Sequence, residues 1–249
     1  MGGAPAVDDL SIKIFADGAD LDGILELAAD PRITGYTTNP TLMRKAGITD
    51  YVAFAKQVVG SITEEPISFE VFADDFESME AQAHTINSWA DNIYVKIPVT
   101  NTKGQSACPL IARLSAAGVK LNVTAIMTPE QVHDVADALD PATPAIVSIF
   151  AGRVADTGRD PIPMMQECLE ILKARPKAEL LWASPRELLN IFQADAIGCH
   201  IITVTHDVLK KLSGVGKDLD RFSLETVEMF YNDASAAGYD IPGVSEAAE

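Results

Sequence analysis

The run Asn92-Ile93-Tyr94-Val95-Lys96-Ile97-Pro98-Val99 decides how this chain is read. β-Branched and aromatic residues dominate it and Pro98 closes it, so it predicts a strand. A lysine in a one-sided strand faces water. In a sheet covered on both faces it cannot, and it becomes a partly desolvated amine. Loss of water disfavours the charged form of an amine, which is how a protein makes a lysine nucleophilic near neutral pH.

The pattern on either side of this run predicts such a covered sheet. Strands are expected at 11–16, 33–37, 67–72, 92–97, 119–124, 145–149, 178–183 and 201–204. Helical patterns lie between and after them at 21–29, 50–59, 76–90, 106–117, 129–139, 164–174, 185–194 and 207–212. Eight β-then-α units within 249 residues fit a single (β/α)8 TIM barrel, an α/β fold. A doubly wound open sheet is the alternative, but no glycine-rich phosphate loop follows an early strand. Thr128-Pro129-Glu130-Gln131 reads as an N-cap, a proline in the first turn and the Gln of a capping box. Ser184-Pro185-Arg186-Glu187 repeats that grammar, and Asn39-Pro40 gives another cap. A further apolar-faced helix is expected at 219–236, closing the barrel or docking on a neighbouring subunit. One domain is expected over 11–249, after a short disordered lead-in at 1–10.

Composition narrows the function classes. The net charge is −17, with 36 acidic against 19 basic side chains. Nucleic acid demands clustered basic residues, and an anionic membrane surface repels this charge. A phosphorylated substrate remains compatible, because salt confines the global field to roughly 8–10 Å and one or two arginines dominate locally. No apolar run approaches the roughly 20 residues that span a bilayer. Cys108, Cys168 and Cys199 are scattered and odd in number, as expected of packing residues in a reducing cytoplasm. With His84, His133, His200 and His206 they form no metal-ligand pattern, so no metal is expected.

In a barrel the chemistry sits at the C-terminal strand ends. Those ends carry Asp17, Thr37-Thr38-Asn39, Glu70, Lys96, Asn122 with Thr124, Ser148 with Phe150, and Ser184. Arg153 and Arg186 stand just beyond. Positions two apart share a face. Asn122 and Thr124 therefore point one way, and the apolar Val123 points the other. Polar inward and apolar outward describes a barrel mouth lined for a hydrophilic ligand. Asp17 also fits the N-cap of the helix near Leu21, and Asn39 and Ser184 fit plain caps. Arg186 adds nothing to a cap, and Glu70 in an apolar strand needs a partner or a raised pKa.

Six ordered pieces carry a resemblance: Phe15-Ala16-Asp17, Thr37-Thr38-Asn39-Pro40, Val95-Lys96-Ile97-Pro98, Asn122-Val123-Thr124, Ser148-Ile149-Phe150-Ala151-Gly152-Arg153 and Ala183-Ser184-Pro185-Arg186. The chain resembles the transaldolase family, class I aldolases that act through a lysine Schiff base. The resemblance implies that Lys96 forms an imine with a ketose phosphate and that Asp17 moves the proton on the hydroxyl of the departing aldehyde. It implies that Glu70 serves the acid/base steps through a water held by Thr124. Asn39, Asn122 and Ser148 would hold hydroxyls, with Thr37 and Phe150 also lining the substrate. Arg153, Ser184 and Arg186 would bind the distal phosphate. No external cofactor is implied, because the imine is the electron sink, and a homo-oligomer is expected.

Related fructose-6-phosphate aldolases carry Gln where this chain has Glu70, and Tyr where it has Phe150. That difference favours transfer of a dihydroxyacetone unit over its release. A free aldolase, a non-catalytic sugar-phosphate-binding barrel and a sugar-phosphate isomerase are the rivals. Pro185 departs from the aromatic residue common in the phosphate loop, and His206 has no assigned partner.

Overall fold

A computed structural model describes residues 6–241. Eight strands run β1 (Lys13–Asp17), β2 (Ile33–Thr37), β3 (Ile67–Glu70), β4 (Ile93–Pro98), β5 (Leu121–Ile126), β6 (Ala145–Ile149), β7 (Ala178–Trp182) and β8 (Ile201–Thr205). All pair in parallel, in chain order, and β1 pairs with β8 from Lys13↔Ile201 to Asp17↔Thr205, which closes the barrel. The (β/α)8 expectation is therefore met.

Helices follow as α1 (Leu21–Ala28), α2 (Pro40–Lys45), α3 (Tyr51–Ser61), α4 (Phe76–Asn87), α5 (Cys108–Ala116), α6 (Pro129–Ala138), α7 (Ala151–Ala155), α8 (Ile162–Leu172), α9 (Leu189–Ala196), α10 (His206–Leu209) and α11 (Leu219–Ala237). Short polar side chains start many of them. Asp20, Asn39, Asp50 and Asp75 each accept from a backbone N–H of the first turn of α1, α2, α3 and α4. Asp20 and not Asp17 caps α1, which leaves the Asp17 carboxylate for the barrel mouth. Thr128 and Gln131 form the reciprocal capping box expected at α6.

One cap does not form. Ser184 adopts a left-handed backbone (φ 59°), and α9 begins only at Leu189 with no side-chain cap. Asn190 instead accepts from the N–H groups of Arg186 and Glu187 at 2.7 and 3.1 Å, so the loop after β7 is tied from the helix side. The spans of α2 and α7 are not among the expected helical patterns, although the Asn39-Pro40 cap marks where α2 starts. Both are short, at six and five residues, too short to show a helical period.

The barrel interior is filled by inward side chains of alternating residues, as the pleat requires. Phe15, Ile146, Leu181, Ala183 and Ile201 form its buried centre, with Tyr94 and Phe150 packed against it. Phe15 dictates its neighbour. A Cβ on Gly35 would lie 2.5 Å from the Phe15 ring, and the β1–β2 register slips between Ile14 and Phe15 to bring the two together. A second irregularity lies in β5. Val123 pairs Val147 but Ile126 pairs Ile149, so one extra residue is accommodated beside Ala125, whose φ is 61°.

The described chain divides into a unit that holds the barrel, residues 10–211, and a second unit that includes α11. Residues 1–5 of the expected lead-in lie outside the described residues, and Val7–Asp9 form a 3-10 turn. Helix α11 has no buried residue, and Phe222, Val227, Phe230 and Tyr231 on it are exposed. Among the described residues no helix is long and apolar enough to cross a membrane.

Gly35→Ala is expected to destabilise the barrel by about 1–3 kcal/mol through overpacking against Phe15. Phe15→Leu in the same chain is expected to recover part of that loss. Urea unfolding of the parent and the two variants checks this.

Candidate active site

At the C-terminal end of the barrel a cavity of about 360 Å³ opens. Asp17, Thr37, Asn39, Glu70, Lys96, Asn122, Thr124, Ser148, Phe150, Arg153 and Ser184 line it, from seven different strand ends. Arg186 does not. It lines an adjoining groove, shared with Asp17 and Ser184, together with His206.

Lys96 is 7% exposed. The neighbours β3 and β5 fix its height, because Glu70↔Lys96 and Lys96↔Asn122 are register partners. Its Nζ donates to the Thr38 carbonyl at 2.7 Å and lies 3.6 Å from Glu70 Oε2. An amine buried this far needs such acceptors, since an unpaired buried charge costs several kcal/mol.

Asp17 faces the cavity on the other side. Thr37 Oγ1 donates to its Oδ1 at 2.8 Å and Asn39 Nδ2 to its Oδ2 at 3.2 Å. Asn39 does two jobs, because its Oδ1 accepts from Leu42 N at 2.9 Å and caps α2. Burial pushes the Asp17 carboxyl above its ordinary pKa. The Lys96 charge and the hydrogen bonds from Thr37 and Asn39 pull the other way without overcoming it. A carboxyl held in this way exchanges a proton more readily near neutrality than a solvated one.

The third wall is a chain of neutral polar groups. Ser148 Oγ donates to Asn122 Oδ1 at 2.6 Å, and Asn122 Nδ2 donates to Ser68 Oγ at 3.0 Å. All three side chains are buried, as is Thr124. This network fixes the Asn122 amide orientation and rigidifies the floor. The β5 irregularity lies between Val123 and Ile126, beside Thr124, and pairing with β6 resumes at Ile126↔Ile149.

At the rim, the Arg153 guanidinium stacks over the Phe150 ring at 5.5 Å. A Cβ on Gly152 would come within 1.6 Å of the Ser184 carbonyl oxygen, so only glycine permits α7 and the loop after β7 to approach. That approach sets Ser184 beside Arg153 on the cavity wall. Arg186 forms a two-pronged ion pair with Asp156, with Nε to Oδ1 at 2.9 Å and Nη2 to Oδ2. Arg186 is thus held by a carboxylate that nothing in the sequence pattern flagged.

Several lining groups escaped sequence reasoning. Thr203, on β8, is buried and shares a short hydrogen bond with Thr37 Oγ1, extending the chain that ends on Asp17. Thr38 and Ser68 contribute through a carbonyl and a bridging hydroxyl. Alternation along β8 would have placed Thr203 inward. The Thr38 carbonyl carried no signal, since main-chain atoms are common to all residues. His206 opens α10, with its Nε2 3.9 Å from Glu26 Oε2 and its ring against Gly23. No group of three or more His, Cys, Asp or Glu that could hold a metal ion occurs among the described residues.

Fold and site together define a (β/α)8 barrel whose mouth holds a buried primary amine between two carboxylates. The Transaldolase/Fructose-6-phosphate aldolase family model matches residues 14–248, and the chain belongs to that family. It is 34% identical over 202 residues to a probable transaldolase of Dehalococcoides mccartyi, covering 81% of this chain and 90% of that one. A probable transaldolase of Methanococcus maripaludis is 35% identical, covering 81% and 89%. Among solved structures, 3-hexulose-6-phosphate synthase from Salmonella typhimurium superposes with a TM-score of 0.56 at 15% identity, covering 82% of this chain and 95% of that one, a likeness of fold alone.

Asp17→Asn checks the electrostatic cost of this site. A carboxyl whose folded pKa is raised binds more protons folded than unfolded, so it erodes stability as pH rises from its unfolded value through its folded one. The variant lacks that loss. Its stability relative to the parent is expected to improve between pH 4 and pH 7 in paired urea titrations, while turnover falls by about a hundredfold or more.

Proposed function

We propose that this protein is a transaldolase, moving a dihydroxyacetone unit from a ketose phosphate to an aldose phosphate through an imine on Lys96. The observation that carries the reading is the Lys96 amine, buried in the barrel mouth 3.6 Å from Glu70 with Asp17 across the cavity. An isomerase or a binding barrel has no need of an amine held there at the cost of desolvation.

In the resting site the amine is held by Thr38 O and paired with Glu70. Glu70 takes a proton from it, and the neutral nitrogen attacks the keto carbon. Glu70 returns a proton to the carbinolamine hydroxyl, through a water beside Thr124, and water departs to leave the protonated imine. Asp17 then removes the proton from the hydroxyl on the β carbon. The bond between the α and β carbons breaks, the aldehyde leaves, and its bonding electrons are held as an enamine. Reversal with a second aldehyde completes the transfer. Asn39, Asn122 and Ser148 are placed to hold hydroxyls of the retained fragment, with Thr37 orienting Asp17.

The distal phosphate is assigned to Arg153, Ser184 and Arg186. Arg186 uses two donors on Asp156, and the guanidinium fork has five, so donors remain for a phosphate. Transfer is favoured over release because Glu70 stands where fructose-6-phosphate aldolases generally carry Gln, and Phe150 offers no phenol. The relatives described as probable transaldolases support the same reading.

Borohydride with fructose 6-phosphate is expected to add one reduced adduct to Lys96 and inactivate the protein. Intact mass unchanged after treatment would favour the binding barrel or the isomerase. Without an acceptor aldehyde, little free dihydroxyacetone is expected, and steady release would identify the free aldolase. Arg186→Ala is expected to raise KM for phosphorylated substrates about tenfold or more, the loss of one charge-assisted contact. An unaltered preference for phosphate would remove Arg186 from the site.

A further inference from the structure

The seam between β2 and β3 is short, with Tyr36↔Ile67 and Thr37↔Ser68 its only register partners, as few as β7–β8 has. Its last regular hydrogen bond runs from Thr38 N to Ser68 O at 3.3 Å. A parallel ladder continued one step would send Glu70 N–H to the Thr38 carbonyl. That bond is not made. The Thr38 carbonyl accepts from Lys96 Nζ instead, and Glu70 N–H donates to the hydroxyl of Tyr51 at 2.7 Å. The same hydroxyl donates to Glu70 O at 3.0 Å. One phenol on α3 therefore takes both places of the missing strand. On the other side of β3 the ladder holds, with Val71 N bonded to Lys96 O at 3.2 Å.

We infer that Tyr51 is a positioning residue for the reaction: its hydroxyl substitutes for the absent β2–β3 pairing at Glu70, which frees the Thr38 carbonyl for the Lys96 amine and fixes the Glu70 carboxylate beside it. Tyr51 lies outside the cavity and touches no reacting atom. The inference rests on the acid/base role proposed above for Glu70.

Three further features fit this role. The Tyr51 ring is fixed edge-on to Phe69, Phe72 and Trp89, at centroid distances of 6.2, 4.6 and 6.0 Å. Burial raises its phenol pKa well above the ordinary value, so it stays a donor as well as an acceptor. The backbone just beyond Glu70 is tied in a similar way from α4, where Gln82 Oε1 accepts from Phe72 N and Ala73 N at 2.8 and 2.9 Å. The end of β3 is thus held on this side by helix side chains.

Tyr51→Phe keeps the ring and removes both hydrogen bonds. It leaves Glu70 N–H to compete with Lys96 for the Thr38 carbonyl. The expected result is a kcat lower by roughly tenfold, the scale of a misplaced catalytic group. KM should be unchanged and borohydride trapping slowed in parallel. In a Glu70→Gln background the same substitution is expected to produce no further fall in kcat, because residues that act as one unit are not additive. Trp89→Phe disturbs the ring cluster but keeps the hydroxyl, and is expected to lower thermal stability at parental kcat.

Parental kcat in Tyr51→Phe, or an equal fall in the Glu70→Gln background, overturns the inference while leaving the Schiff-base reading intact. Parental kcat in Glu70→Gln overturns both the inference and the role of Glu70. Amide exchange in the unaltered protein gives a check that needs no variant. The Glu70 amide is expected to exchange as slowly as its ladder neighbours, and fast exchange would refute its bond to Tyr51.

Discussion

A primary amine with 7% exposure has to find acceptors inside the protein, and the upper half of this barrel is arranged around that demand. Lys96 reaches the cavity because β4 is held in a closed sheet, with β3 and β5 in register on either side. Its charge is met by one carbonyl and one carboxylate, and a second carboxylate is held across the cavity by Thr37 and Asn39. Each acceptor carries a cost of its own. Thr38 gives up a ladder partner, Glu70 borrows one from Tyr51, and Asp17 is held where burial disfavours its charge.

The left-handed non-glycine backbone lies toward the same end. Among the described residues the non-glycine positions with left-handed backbone are Ala125, near the C-terminal end of β5, and Ser184, two residues past the end of β7. The β5 irregularity adjoins Thr124, and the contact of Gly152 with the Ser184 carbonyl sets the rim where Arg153 and Arg186 lie. Toward the opposite end lies the β1–β2 register slip between Ile14 and Phe15. There Lys13 pairs with Glu179 at 2.8 Å, and Lys120 lies over the Tyr94 ring. Strain is tolerated where the surrounding structure holds it, and here that is where the polar groups converge.

Much of the fold was legible because its signals are local. β2 and β6 match their expected bounds, and the other strands differ by only a few residues at their ends. The alternation in Asn122-Val123-Thr124 correctly assigned two side chains to the cavity and one to the helices. Ser184 shows where local grammar misleads. Its Ser-Pro-Arg-Glu run has the composition of an N-terminal cap, but the close packing of Gly152 draws its backbone into the left-handed region, and the helix starts five residues later. Tyr51 and Asp156 were invisible for a different reason. They act on Glu70 and Arg186 across 19 and 30 residues of chain, and no short motif records that spacing.

The sequence by itself determined the eight-unit rhythm, the inward set of polar side chains and the family resemblance that implies a Schiff-base role for Lys96. All of these are written in runs of a few residues, through strand period, capping and composition. Tertiary structure alone decided which partners these residues meet: the Thr38 carbonyl at the Lys96 amine, the Tyr51 hydroxyl at the Glu70 main chain, the Thr203 hydroxyl behind Thr37. The reason is that closing a barrel brings together atoms far apart in the chain, and a register or an unmade ladder bond exists only once neighbouring strands have paired.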